Sequence, residues 1–104
     1  MAVATIHRFR IKPGRLQEFT KMLAEGRKIH ESLGGRIRVW QSTIAGEPNT
    51  ISYVIEYDDM TAYAAFGDKL RSDRAWQDVV QKARGSADPS AELIGSSLVT
   101  SVEP

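Results

Sequence analysis

Along this chain the spacing of apolar residues switches between two and 3.6 residues, and the order of those switches constrains the fold more than any other feature. Residues 3–11, Val-Ala-Thr-Ile-His-Arg-Phe-Arg-Ile, read as a strand with Val3, Thr5, His7, Phe9 and Ile11 on one face. Ile6, Arg8 and Arg10 share the other face. Pro13-Gly14 ends the strand and opens a helix, since proline is tolerated in a first helical turn. Leu16, Phe19, Met22, Leu23, Ile29 and Leu33 then recur at helical spacing, with Gly26 inside the stripe. Glycine within a helix costs ~1 kcal/mol against alanine, and a close helix–sheet approach is the expected compensation. Gly34-Gly35 is the stop.

Residues 36–44 read as a second strand, Gly46-Glu47-Pro48-Asn49 as a turn, and residues 51–57 as a third strand. Asp58 or Asp59 caps a second helix carrying Met60, Tyr63, Phe66 and Leu70. Ser72-Asp73 resembles a fresh N-cap, so this helix bends or restarts before Trp76, Val79, Val80 and Ala83 continue the stripe to Gly85. Residues 92–102 are the last strand. The order β-α-β-β-α-β predicts an α+β, ferredoxin-like fold: an antiparallel sheet with two helices on one face. A sheet wetted on its other face should alternate apolar and polar residues cleanly. These strands do not. Val54 interrupts the face opposite Ile51, Tyr53, Ile55 and Tyr57; Trp40 and Ile44 oppose Ile37 and Val39; Ile94, Leu98 and Val102 oppose Leu93 and Val99. Helices cover one face, and a second copy of the chain is the economical cover for the other: a homodimer through the sheet face.

At 104 residues the chain suits one domain spanning 1–104, small enough for oligomerisation to help it. The absence of cysteine excludes disulfides, thiolate nucleophiles and cysteine-ligated metal sites. The first residues lack the pattern of a signal peptide, and no apolar run approaches the ~20 residues of a membrane span, so the cytoplasm is the expected location. Net charge is +1, but residues 1–40 hold nine Lys/Arg against three Asp/Glu, and residues 41–104 five against ten. That split suits an anionic ligand or complementary subunit surfaces; in the simpler account both halves mix within one domain and the fields cancel. The basic excess is too small for a nucleic-acid binder.

Several segments together resemble the dimeric α+β barrel superfamily, and within it the NIPSNAP-like proteins. Phe9-Arg10-Ile11-Lys12-Pro13-Gly14-Arg15 with Glu18-Phe19 is similar to the superfamily's entry from strand to helix. Trp40-Gln41-Ser42-Thr43-Ile44-Ala45-Gly46, Glu56-Tyr57-Asp58-Asp59-Met60 and Leu70-Arg71-Ser72-Asp73-Arg74-Ala75-Trp76 resemble the second strand and turn, the third strand and helix start, and the mid-helix segment of NIPSNAP-like proteins. The resemblance implies two subunits facing each other across their sheets, with a cavity between sheet and helices or within the barrel. It implies no agreed catalytic residues. Related barrels include cofactor-free monooxygenases, haem-degrading enzymes and dehydratase-like proteins, and fold alone does not choose among them.

His7 is the principal candidate for chemistry. On an interior strand between Thr5 and Phe9, it either serves as a general base at a cavity or fills the core as a hydrogen-bonded histidine. His30, beside Arg27, Lys28 and Glu31, reads as a surface histidine near a helix C-terminus. Haem held in the superfamily's usual way needs a histidine on the second helix, and none follows His30. No cofactor and no metal site are expected. Arg38 with Trp40, Tyr53 and Tyr57 suits a planar anionic aromatic ligand, or a set of dimer anchors. Trp76 reads as core, or as a pocket wall. The expected ligand-binding set is thus His7, Phe9, Arg38, Trp40, Tyr53, Tyr57 and Trp76, with His7 sharing a cavity with Phe9 and at least one aromatic. The expected role is a small dimeric protein that binds a partly aromatic molecule or acts as an accessory subunit. The alternative is a cofactor-independent monooxygenase or isomerase acting on a phenol; a purely structural protein is the third account.

Overall fold

The structure, a computed structural model, describes residues 1–44 and 49–103. Its elements are β1 (Val3–Ile11), α1 (Leu16–Ser32), β2 (Arg36–Gln41), β3 (Thr50–Tyr57), α2 (Met60–Ser72), α3 (Arg74–Arg84) and β4 (Ala91–Thr100). The strands form one antiparallel sheet in the order β2-β3-β1-β4, which is the expected α+β, ferredoxin-like topology. The break in the second helix falls at Asp73, whose carboxylate accepts the Trp76 backbone N–H at 2.8 Å and so starts α3. Asp59 starts α2 in the same way, accepting the Ala62 N–H at 2.8 Å. β2 stops at Gln41 rather than at Ile44. Of the expected turn Gly46-Glu47-Pro48-Asn49, the first three residues lie outside the described residues; Asn49 has a positive φ of 59°.

In β1 and β3, Val3 lies opposite Tyr57, Thr5 opposite Ile55, His7 opposite Tyr53 and Phe9 opposite Ile51. Opposed residues share a face, so the odd-numbered residues of β1, β2 and β3 all look toward the helices. There Val3, Ile37, Tyr53, Ile55, Tyr57 and Phe66 form one buried cluster, and Ile11, Phe19 and Ile51 a second; Phe9 and Leu23 pack against both. Phe19 keeps 1% of its surface exposed, and burying a side chain of that kind contributes ~1.5–3 kcal/mol. The even-numbered residues, among them Ile6, Arg8, Arg38, Trp40, Val54 and Glu56, make an open face that no helix covers.

β4 departs from the simple alternation expected of it. Arg8 faces Gly95 but Phe9 faces Leu93, so Ile94 is an extra residue at a bulge. Leu93 and Leu98 therefore share the helix side, and Val99 lies on the open face. Val102 lies beyond the strand and is exposed.

On α1 the buried positions are Phe19, Gly26 and His30, with Leu23 and Leu33 half-buried between and beyond them. Leu16 and Met22, which the periodicity put in the stripe, are exposed. Gly34, at φ 98°, supplies the left-handed turn that ends the helix. Gly35 lets the chain pass close beneath Phe66 and Ile55: a Cβ there would come within 3.1 Å of both side chains.

The close approach expected at Gly26 exists, but its partner is α3 and not the sheet. A Cβ built on Gly26 would lie 3.7 Å from Cζ3 of Trp76, which is ordinary van der Waals contact. Alanine therefore fits, and it removes the entropic cost of glycine in a helix. Gly26→Ala should raise unfolding stability by about 0.5–1 kcal/mol in urea titrations. A loss of stability would show that α1 and α3 pack more tightly than this geometry.

Candidate functional site

On the helix-side face a polar pair stands where β1 meets β4. His7 and Ser96 lie opposite each other, and Nδ1 of His7 is 2.9 Å from the Ser96 hydroxyl. The bulge sets this pair between two leucines: Leu93 opposite Phe9, and Leu98 opposite Thr5. β4 packs mainly on β1, and Leu93 and Leu98 remain 57% and 47% exposed. The result is an open trough with apolar walls and one hydrogen-bonded pair in its floor.

Tyr53 stands behind the trough, directly across from His7 in the sheet. Its hydroxyl is 2.7 Å from Nδ1 of His30, which reaches down from α1. This corrects the reading of His30 as a surface histidine: it is 5% exposed. Its ring lies among Tyr53, Phe66 and Trp76, with centroids 5.6, 5.8 and 4.5 Å away. Its place in the stripe explains this. Phe19, Leu23, Gly26, His30 and Leu33 are spaced four, three, four and three, the inward row of a helix. The charges of Arg27, Lys28 and Glu31 belong to the neighbouring, outward row.

Burial gives all four titratable groups here the same bias toward neutrality. It lowers the pKa of His7 and drives that of His30 down to about 4, helped by repulsion from His7. It pushes the Tyr53 and Tyr57 hydroxyls up. At neutral pH the histidines are uncharged imidazoles and the tyrosines un-ionised phenols. Arg27 and Glu31, the charged groups acting on Tyr53, pair with each other at 3.4 Å.

The expected ligand set is divided by the fold. His7, Tyr53 and Trp76 come together, joined by His30 and Ser96, which the sequence reading had not included. Phe9 and Tyr57 flank them within the core: Phe9 stacks 5.1 Å from Phe19, and Tyr57 5.1 Å from Phe66. Arg38 and Trp40 lie on the opposite face of the sheet, where Arg38 pairs with Glu56 at 2.7 Å. Arg38 and His7 therefore do not converge on one ligand. A cavity was expected between His7, Phe9 and an aromatic; neither the groove at Ile11, Pro13 and Ile51 nor the one outside α3 is lined by His7 or Phe9. Trp76 also lines a groove outside α3, with Arg71, Arg74 and Arg84, which His7 does not reach.

Neutral burial of His30 ties stability to pH. The unfolded imidazole takes a proton near pH 6.5, the folded one near 4. The unfolded chain thus binds the proton first, and stability that is complete above pH 6.5 is lost as pH falls toward 4. The loss from His30 alone is about 3 kcal/mol, and His7 acts in the same direction. In chemical denaturation between pH 7 and 4, His30→Phe should remove about that much of the pH dependence. Equal slopes for the two proteins would place His30 in water.

The NIPSNAP family model matches residues 4–88. An uncharacterized NIPSNAP domain protein from Burkholderia xenovorans superposes with a TM-score of 0.74 at 26% identity, covering 100% of this chain and 95% of that one. A NIPSNAP family protein of unknown function from Agrobacterium tumefaciens gives 0.69 at 23%, covering 94% and 84%. SnoaB, a cofactor-independent oxygenase from Streptomyces nogalater, gives 0.67 at 14%, covering 99% and 95%, and so shares the fold alone. No curated protein matches the chain. Among the described residues no helix is long and apolar enough to cross a membrane. The chain belongs to the NIPSNAP family.

Proposed function

We propose that the protein binds a small, partly aromatic, uncharged molecule in the trough at His7, and that it works as a homodimer closed through the open sheet face. One observation carries the ligand reading: the His7–Ser96 pair sits in a trough whose surrounding polar groups are all biased to their neutral forms. A carboxylate or phosphate placed there would lose water and gain no cation in return, which is costly. A hydroxyl or carbonyl meets donors and acceptors of its own kind, while Leu93 and Leu98 take up the apolar body. The planar anionic ligand that Arg38 could have held is set aside for this site, because Arg38 lies across the sheet.

Two bicyclic probes of matched shape test this, 1-naphthol and 1-naphthoate. Naphthol should raise the melting temperature, a bound ligand adding about 2.7 kcal/mol at a hundredfold excess over Kd, and naphthoate should not. His7→Phe keeps the bulk of the side chain and should abolish the response. An equal shift with naphthoate, or an undiminished shift in His7→Phe, would sink the reading.

The dimer reading rests on the open face. Ile6 lies opposite Val54 at its centre, with Trp40 and Val99 exposed to either side. Arginine–carboxylate pairs surround this apolar patch, an arrangement of apolar core and polar rim suited to an interface. Arg38 and Trp40 then serve as contact residues. A chain without cysteine is at home in the cytoplasm, which we take as its location. Sedimentation should show a dimer at micromolar concentration, and Val54→Asp should yield folded monomer. A wild-type monomer would refute the dimer.

A further inference from the structure

Among the described residues, the strands of the open face carry more arginines than carboxylates. Arg8 and Arg10 of β1 and Arg36 and Arg38 of β2 share it with only two strand carboxylates, Glu56 and Glu92. Arg10 pairs with Glu92, Arg38 with Glu56, and Arg36 with Asp58 just beyond β3. Arg8 has no ion-pair partner among the described residues, although it occupies the middle of a central strand. Its neighbours across the sheet are Ser52 on β3 and Gly95 on β4. Cross-strand neighbours stand ~5 Å apart on the same face, so the Ser52 hydroxyl is beside the Arg8 stem. On its other side is a gap: a Cβ built at Gly95 would meet nothing within 4 Å.

Closing two copies over this face brings both Arg8 side chains into the interface. Two-fold symmetry brings the same Arg8 from each copy, while the strand carboxylates Glu92 and Glu56 already meet Arg10 and Arg38. An unpaired charge taken out of water is strongly unfavourable. Facing sheets pack ~10 Å apart, which leaves room at the two Gly95 notches for a small ion but not for a large organic anion. We propose that the sheet-to-sheet interface holds one free inorganic oxyanion, of the phosphate or sulfate type, between the two Arg8 guanidiniums, with a Ser52 hydroxyl donated by each copy. Guanidinium suits such an ion because its planar fork donates two parallel hydrogen bonds. Assembly is then anion-dependent, each copy supplying half of the site. The proposal rests on the sheet-face dimer and is separable from it.

Sedimentation equilibrium in sodium phosphate, and in sodium chloride of equal ionic strength, tests it. The wild-type dimer should be at least about tenfold tighter in phosphate, by mass action on the bound form. Arg8→Leu removes the surplus charge, so its dimer should be tight in chloride and indifferent to phosphate. Phosphorus NMR should show the phosphate line broadened by wild-type protein and not by Arg8→Leu. A wild-type dimer equally tight in both salts, with Arg8→Leu also dimeric, overturns the anion site and leaves the dimer standing. Phosphate tightening that persists in Arg8→Leu also overturns the site. Monomers of both proteins in both salts overturn the dimer and the site together.

Discussion

The register between β1 and β3 is the constraint on which the rest depends. These central strands pair residue against residue from Val3–Tyr57 to Arg10–Thr50. Because side chains alternate, a slip of one residue would turn Tyr53, Ile55 and Tyr57 away from the helices and bring Ser52, Val54 and Glu56 inward. The core would lose its aromatic floor, and His30 would lose the hydroxyl it bonds. The same register places His7 across from Tyr53 and Arg8 across from Ser52, so it composes both faces at once. Packing enforces it. Phe66 touches His30 and Tyr57, and the Gly35 backbone passes so close that a Cβ there would lie 3.1 Å from Phe66 and Ile55.

How much of this could be read from the sequence varies with the kind of signal. The element order, the restart at Asp73 and the parity of β1 to β3 were legible because each has a local cause: an alternation, or a carboxylate placed to cap a helix. His30 was legible in principle, since its four-and-three spacing from Leu23, Gly26 and Leu33 marks the inward row. Its charged neighbours drew attention to the outward row instead. The bulge at Ile94 was not legible. Nothing in Leu93-Ile94-Gly95 says which residue the ladder omits; that depends on how β4 meets β1. The split between Arg38 and His7 follows from the pairing register: Arg38 lies opposite Val54 and Val54 opposite Ile6, so Arg38 shares the face of Ile6 and not that of His7. Parity within each strand cannot supply that register.

The neutrality of the helix-side site is the consequence of a polar cluster built without a counter-charge. A buried hydrogen bond between His30 and Tyr53 contributes only ~1 kcal/mol net, while leaving either group unpaired costs ~1–3 kcal/mol. The pair therefore does more to fix the position of Tyr53 than to stabilise the chain. Trp76, 4.5 Å from His30 and half-buried, screens that bond from the groove outside α3. Packing by α3 thus keeps His30 dry, and dryness keeps it neutral.

The bulge connects the two faces. Without it, the ladder that pairs Arg8 with Gly95 would continue as Phe9 with Ile94, Arg10 with Leu93 and Ile11 with Glu92. Leu93 would then leave the trough for the open face, and the Glu92 carboxylate would move to the core side beside Ile11. Arg10 would lose the Glu92 carboxylate from its side of the sheet. By absorbing Ile94, β4 keeps Leu93 beside Phe9, Glu92 beside Arg10 and Gly95 beside Arg8. One inserted residue therefore sets the apolar wall of the trough and keeps the Glu92 carboxylate on the same face as Arg10.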